Sequence, residues 1–321
     1  MPLEYARSTY HPKPWGVDDM RPWSKWHRDG TKVGEIWFER ESEKAPKPSL
    51  LLKMLFTSQP LSIQVHPDDT YAYILGLPGG KPEAWYVVDA KPEAKLAVGL
   101  SQRLTRGQLH DAIVDATIVD HVLWRSVLPG DSCDVPAGTI HALGAGLVIA
   151  EVQPRVDVTF RLYDHGRGRE LNIEDGMAVA LGEPCPCPAE QCRLSDSRTL
   201  LVVNPLFVFE RLDLPPGSLW NLTAECETWL LTLSGNGSLH SLQASLGDAL
   251  FADAVTVKIT AGPNGMSLLA AYANCVPHPM LLKRIAENGE PDTDHAHEAQ
   301  VMEGFSRALA AFTRNHKGRQ L

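Results

Sequence analysis

Apolar residues in this chain come in short runs that alternate with polar ones, and 24 prolines and 25 glycines break the runs apart. Alternation of period two over ~4–8 residues between such breakers predicts strands. VGEIWFER (33–40), SLLLKMLFTS (49–58), LSIQVHP (61–67) and AWYVVDA (84–90) all fit. YAYILGL (71–77) reads as a helical turn capped at Asp68 and Asp69. Between Leu104 and Leu128 the period changes: apolar residues at 109, 113, 114, 118, 122 and 123 predict a helical segment. A second short helix is expected over 169–181, and strand chemistry resumes from 200 to about Tyr272. Residues 1–30, with Trp15, Trp23 and Trp26, read as an extended, loop-like opening. Beyond 283 come a solvated acidic loop bearing His295 and His297, one helix over MEGFSRALAAFT and a basic tail.

Composition narrows the class. A net charge of −9 argues against a general nucleic-acid or anionic-membrane binder, while a local basic pocket for an anionic small molecule stays open. No apolar run approaches the ~18 residues of a membrane span, and the N-terminus lacks the charged-then-apolar pattern of a secretion signal. Six cysteines in 321 residues do not suggest a disulfide framework, so a cytoplasmic protein is expected. Cys185, Cys187 and Cys192 lie close together in the proline-rich run GEPCPCPAEQC. That spacing lacks a paired second half for a zinc site and reads as a linker with free thiols. His110 and His121, eleven residues apart in the helical segment, read as surface or packing residues.

The chemistry gathers around LSIQVHPDD. Gln64 and His66 are two apart in a predicted strand, so both point to one face while Ile63 and Val65 point to the other. The pair is either a polar cluster satisfied by backbone or half of a metal site. A weak internal repeat favours the second. QPLSIQVH (59–66) resembles NPLFVFER (204–211), and PEAWYVV (82–88) resembles CETWLLT (226–232). PGDSCDVPAGTIHAL (129–143) resembles the run from Leu246. In this overlay Gln64 falls on Phe209, His66 on Arg211 and His141 on Lys258, while Glu83 keeps its type at Glu227. Joint loss of three polar residues is expected if one copy holds a metal and its twin supports it. The expected ligands are therefore Gln64, His66, Glu83 and His141. Two imidazoles and a carboxylate suit a divalent first-row ion, zinc above all, and an amide oxygen keeps the ligand charge low. Ligands from a strand, a Gly-rich turn and a Pro-Ala-Gly turn suit a small jelly roll of the cupin type.

QVHPDD, GKPEAWYV, PAGTIHALGAGLVIAEVQ and DVTFRLYDHGR, with KPWG and GEIWFE nearer the start, resemble type I mannose-6-phosphate isomerases, a zinc-dependent cupin family. The likeness covers roughly 10–180; the second half matches mainly in outline. It implies a mainly β chain of two cupin-like jelly rolls, with a small helical segment (104–126) between strands of the first. The expected division is a metal-binding domain at 1–182, a Pro/Cys-rich linker at 183–199, a metal-free second domain at 200–282 and an extension at 283–321. The resemblance further implies one Zn2+ held by the four ligands above, with Lys81, Glu151 and Arg161 in the active site. The implied reaction interconverts mannose 6-phosphate and fructose 6-phosphate through a cis-enediol(ate). Lys81 and Glu151 are the candidate bases, and Arg161, always charged, suits anion binding. The sequence departs from the family's pattern at Pro154, Arg155 and Val156, where small polar residues are common. Competing expectations are a non-catalytic cupin that binds a sugar phosphate and an oxygenase on the same fold.

Overall fold

A computed structural model describes residues 2–24, 30–185, 191–285 and the helical positions 303, 304 and 306. Trp26, Cys187, the loop with His295 and His297, most of the expected last helix and the basic tail lie outside the described residues. The chain begins with β1 (Leu3–Tyr5), β2 (Arg7–Val17), β3 (Val33–Glu39), β4 (Leu50–Phe56), β5 (Ile63–Val65) and α1 (Asp69–Ile74). It continues through β6 (Glu83–Ala90), β7 (Lys95–Leu100), α2 (Arg106–Val114), α3 (Ile118–His121) and β8 (Val122–Ser126). β9 (Ser132–Val135), β10 (His141–Leu143), β11 (Leu147–Pro154), β12 (Phe160–Tyr163) and α4 (Ile173–Val179) follow. The described residues from 192 to 285 form strands: β13 (Cys192–Ser195), β14 (Arg198–Val203), β15 (Val208–Leu214), β16 (Leu219–Ala224) and β17 (Thr228–Leu239). Then come β18 (Leu242–Ser245), β19 (Ala249–Ala252), β20 (Val255–Tyr272) and β21 (Leu282–Ile285). The mainly β, two-barrel expectation holds.

In the first half a six-stranded sheet, β2-β3-β4-β11-β6-β9, faces a five-stranded one, β12-β5-β10-β7-β8. The nine strands of the second half, with β1, form one ten-stranded sheet because β17 and β20 are long enough to serve both of its layers. Its order β13-β14-β15-β20-β17-β19 repeats that of the six-stranded sheet. The repeat expected from sequence is thus present, but its register is corrected. Topology lays β15 on β4, whereas the sequence overlay laid 204–211 on the β5 region. The counterpart of β5 is β16, which joins β20 and β21 as β5 joins β10 and β12. Short strands of identical period cannot be told apart by pattern alone, and a Pro-Leu pair misaligned them. Glu227 does different work from Glu83. Its carboxylate accepts from the backbone N–H groups of Ser49 (2.6 Å) and Leu50 (2.7 Å), tying the halves together.

The halves share a core. Leu52, Met54 and Phe56 of β4 pack in one buried cluster with Phe207, Phe209, Trp229 and Leu269. Each such side chain contributes about 1.5–3 kcal/mol by leaving water. The opening segment is strand rather than loop: β2 pairs with β3, and β1 crosses to pair with β19. Residues 3–5 therefore belong by hydrogen bonding to the second barrel. The helices cover the outer face of the five-stranded sheet, where Ile63 and Val65 meet Leu109, Ile113, Phe160, Leu162 and Met177. Thr105 starts α2 with a full capping box to Gln108, and Ala116 in a left-handed conformation (φ 60°) follows its end. The expected helix stops short of 126, because residues 122–126 form β8 on the edge of β7. Val122 and Trp124 satisfy both periods, and the open sheet edge decides between them.

Candidate metal centre

Ile63 and Val65 of β5 face the helices, so Gln64 faces the space between the sheets, as its alternation requires. His141, first residue of β10, is Gln64's cross-strand partner. The Pro-Ala-Gly turn delivers it there: Gly138 adopts φ 80°, a conformation open to glycine, and donates from its N–H to His66 O at 2.8 Å. Glu83 opens β6, directly after the Gly-rich turn. A Cβ on Gly80 would lie 2.7 Å from the Asp68 carbonyl carbon, so glycine is what lets the turn close and Lys81 donate to Pro67 O.

The imidazoles are held as ligands are held. His66 Nδ1 donates to Val158 O and His141 Nδ1 to Thr139 O, each at 2.8 Å. A carbonyl only accepts, so both rings carry their proton on Nδ1 and turn an Nε2 lone pair inward. His66 Nε2 lies 3.1 Å from Glu83 Oε1, and His141 Nε2 lies 3.7 Å from Glu83 Oε2. The three residues place one ligand atom each within 4.8 Å of one another. All are buried, and His66 Nε2 and Glu83 Oε2 have no hydrogen-bond partner. Burial, then the Lys81 charge, pushes the His66 imidazole down to about 3, and burial likewise lowers His141. Burial alone would raise Glu83, but the Lys81 ammonium holds its carboxyl well below the usual carboxylate range. Lone pairs and a carboxylate facing one another without a proton between them are unfavourable unless a cation sits there, so these residues fit a metal.

Gln64 would bring an oxygen to the ligand atoms only with its amide turned over. As placed, Nε2 lies 3.3 Å from His141 Nε2 and Oε1 accepts from Ser62 Oγ at 3.0 Å. A serine hydroxyl accepts as readily as it donates, so the flipped amide keeps Ser62 and turns Oε1 toward the ligand atoms.

Gln64, Glu83 and His141 line a cleft of about 660 Å³, counted to its open mouth. All three residues expected beside the metal line it. Lys81 Nζ lies 3.2 Å from Glu83 Oε1. Glu151 accepts from Lys53 Nζ at 3.1 Å and from Trp85 Nε1 at 2.9 Å. Burial and then the Glu83 charge raise its pKa. Arg161 pairs with Gln64 in the β5–β12 register, and its Nε is buried without a partner. Arg155, at the family departure, points elsewhere: it donates to Glu39 and to Pro48 O.

The cleft also holds Lys13, Glu35, Lys53, Asp157 and Arg169, which sequence reasoning passed over. Lys53 carried a visible signal, a lone cation in the otherwise apolar SLLLKMLF run. Burial works against its charge, but Glu151, Glu35 and Glu83 hold it above its ordinary pKa. His110 is exposed and His121 half-buried, in keeping with surface roles. Cys185 and Cys192 are half-buried. No helix among the described residues is long and apolar enough to cross a membrane.

No protein-family model matches the chain. By sequence it is 35% identical over 191 residues to a mannose-6-phosphate isomerase of Streptococcus mutans, covering 56% of this chain and 60% of the relative. It is 35% identical over 165 residues to mannose-6-phosphate isomerase ManA of Bacillus subtilis, covering 47% and 51%. The chain thus spans between half and three-fifths of these curated relatives' length. By structure it superposes on the mannose 6-phosphate isomerase of Bacillus subtilis with a TM-score of 0.74 at 22% identity, over 85% of this chain and 100% of the other. The apo form from Salmonella typhimurium gives a TM-score of 0.68 at 14% identity, with the same coverage. The chain accordingly has the fold of the phosphomannose isomerases and, across about half its length, is a sequence relative of the mannose-6-phosphate isomerases.

Proposed function

We propose that the protein is a zinc-dependent aldose–ketose isomerase interconverting mannose 6-phosphate and fructose 6-phosphate. The observation that carries this reading is the pair of imidazole lone pairs converging with the Glu83 carboxylate at the floor of a cleft rich in acid–base side chains. Gln64, His66, Glu83 and His141 would hold the ion, and zinc suits that donor set. When bound, the ion supplies a Lewis-acidic charge that stabilises negative charge developing on the sugar oxygens.

The chain's own groups do the proton work. A base removes the C2 proton of the open-chain aldose; the electron pair forms the C1–C2 double bond and the C1 oxygen takes up a proton. The cis-enediol(ate) then loses its C2 hydroxyl proton as the C2 carbonyl forms, and C1 receives the carbon-bound proton. Glu151 is the better supported base, because its pKa is raised and Lys53 and Trp85 fix both its oxygens. Lys81, held against Glu83, stands ready as its partner in proton transfer. Arg161, with its unspent Nε, steadies the enediolate oxygens.

Residues 1–182, less β1, are read as the catalytic unit, 183–199 as the linker and 200–282 as the support. The test is an isomerase assay on the purified chain, with product followed by proton NMR. Conversion of mannose 6-phosphate to fructose 6-phosphate is expected; binding of the sugar phosphate without conversion would make the protein a non-catalytic cupin.

A further inference from the structure

The first half is open a second time, at the sheet edges farthest from β12. β8 ends the five-stranded sheet, β9 ends the six-stranded one, and the turn over 127–131 spans the gap between them. Behind that turn lies a cavity of about 1240 Å³ counted to its open mouth, against 660 Å³ for the cleft on the same measure. Among the described residues, none lines both spaces. Hydrogen bonds fix the frame. Val87 N–H donates to Asp131 O and Gly130 N–H donates to Val87 O, each at 2.8 Å, so the turn is tied to β6. Asp131 Oδ2 accepts from Leu128 N–H at 2.8 Å and closes the turn. Gln191 crosses the rim, donating through Nε2 to Gly130 O at 2.7 Å and to Ser132 Oγ at 3.1 Å. A turn pinned in this way holds the space beneath it open, as preformed ligand sites are held.

Wall and rim differ in chemistry. Val87, Leu96, Val98 and Cys133 belong to the buried barrel interior, and Val127 carries that apolar surface toward the mouth. Burial pushes the Cys133 thiol up to about 12, so it stays protonated and serves the wall as an apolar group. Arg125 is the cross-strand partner of Leu96, so its side chain leaves the sheet on the same face, over the cavity. It is half-buried, and it is the one cation among the described residues of the lining. The one carboxylate there, Asp131, is exposed and engaged by its own turn. A hydrocarbon gains contacts against such a wall where water finds no partner, and a guanidinium beside it favours a planar anion held by paired hydrogen bonds.

We propose that this cavity is a second binding site, for a small carboxylate with a branched or aromatic hydrocarbon body. The body lies against Val87, Leu96 and Val98, and the carboxylate meets Arg125 at the rim. A sugar phosphate does not suit the space, since its hydroxyls would face valine and leucine, so the inference is independent of the isomerase reading. The site backs onto the metal centre. Val98 is paired with His141 across β7 and β10, and Cys133 with Trp85, whose ring meets His141 edge-on at 5.5 Å between centroids.

The experiment is a calorimetric titration of the purified chain, with zinc supplied, using 3-phenylpropionate and its uncharged counterpart 3-phenylpropan-1-ol. Saturable binding of the carboxylate is expected. Arg125→Leu should weaken it by about 10–100-fold, the range for losing a hydrogen bond to a charged group, and leave the alcohol within about twofold of wild type. Arg125→Lys should recover part of the loss. Val127→Trp should fill the mouth and abolish binding of both probes; should it fail to fold, Arg125→Leu carries the test. The absence of carboxylate binding tighter than about 1 mM overturns the assignment. Carboxylate binding that both variants leave within about twofold of wild type overturns it as well, since the probe then occupies the metal cleft or the outer surface. So does an equal loss of acid and alcohol in Arg125→Leu.

Discussion

The two barrels use one strand order and bury opposite kinds of interior. In the second, Arg198 donates to Glu210 through Nε (2.9 Å) and Nη2 (2.8 Å), and Tyr272 Oη donates to Glu210 at 2.5 Å. Arg198 also reaches the carbonyls of His278 and Pro279, and arginine and glutamate are 1% and 0% exposed. Around them the interior is apolar: Trp220, Leu222, Val257 and Ile259 fill the strands equivalent to β5 and β10. In the first barrel Lys53, Glu151 and Gln153 form a comparable buried set, but beside it lie an imidazole nitrogen and a carboxylate oxygen with no partner. A polar interior that closes on itself holds a fold together. Imidazole and carboxylate lone pairs that face one another are shaped for a cation, and among the described residues that arrangement lies in the first barrel.

Substitutions can break that contrast from either side. The largest effect is expected from His141→Ala, which should abolish isomerase turnover. It should lower metal affinity by more than the ~10–100-fold typical of losing an outer partner. Elemental analysis beside the kinetic assay checks both; full metal content in the variant would remove His141 from the ligand set. Arg198→Met should strand the Glu210 carboxylate and destabilise the protein by about 3–5 kcal/mol in denaturant titration, with metal content unchanged. A shift under 1 kcal/mol would mean that the second barrel's pair is not structural.

Smaller effects sharpen the first barrel. Arg161→Ala should keep its metal and lose about 10²–10³-fold in kcat, as when one donor to a developing oxyanion is removed. Near-normal kinetics would take Arg161 out of the site. His66 titrates near 3 in the folded, metal-free protein and near 6.5 when unfolded. Between those values the unfolded chain binds the extra proton, so stability is full above about pH 6.5 and falls as pH drops toward 3. Thermal melts of chelated protein should show a loss on the order of 3 kcal/mol between pH 7 and pH 4. A flat profile would mean that His66 is not held neutral by burial. Trp85→Phe, which keeps the ring against His141 but deletes the indole N–H on Glu151, should lower kcat by about tenfold with metal retained. An unchanged kcat would show that Glu151 needs no such anchor.

What the sequence made legible depends on the range of the interactions involved. The strand carrying Gln64 and His66, its inward and outward faces and the turns that deliver Glu83 and His141 are local consequences of alternation, Gly and Pro, and they could be read. Lys13, Glu35 and Lys53 were not legible as site residues, because a charge in a strand looks the same whether it faces water or a cleft until the opposing sheet is known. The pairing of β1 with β19 links residues nearly 250 positions apart and leaves no local mark. The repeat was visible, yet its register slipped by one strand, since period-two runs carry no label of order. Among the described residues the His/Glu/His group lies in the first copy alone.

The central claim is that one divalent ion at Gln64, His66, Glu83 and His141 is what makes this cleft an isomerase site. The most direct measurement is mannose 6-phosphate turnover by the purified chain before chelation, after chelation and after zinc is restored, with bound metal counted at each stage. The account predicts activity that disappears with the metal and returns as one zinc per chain is bound. Turnover that persists in fully metal-free protein, or zinc that binds at one per chain without restoring any, would contradict it.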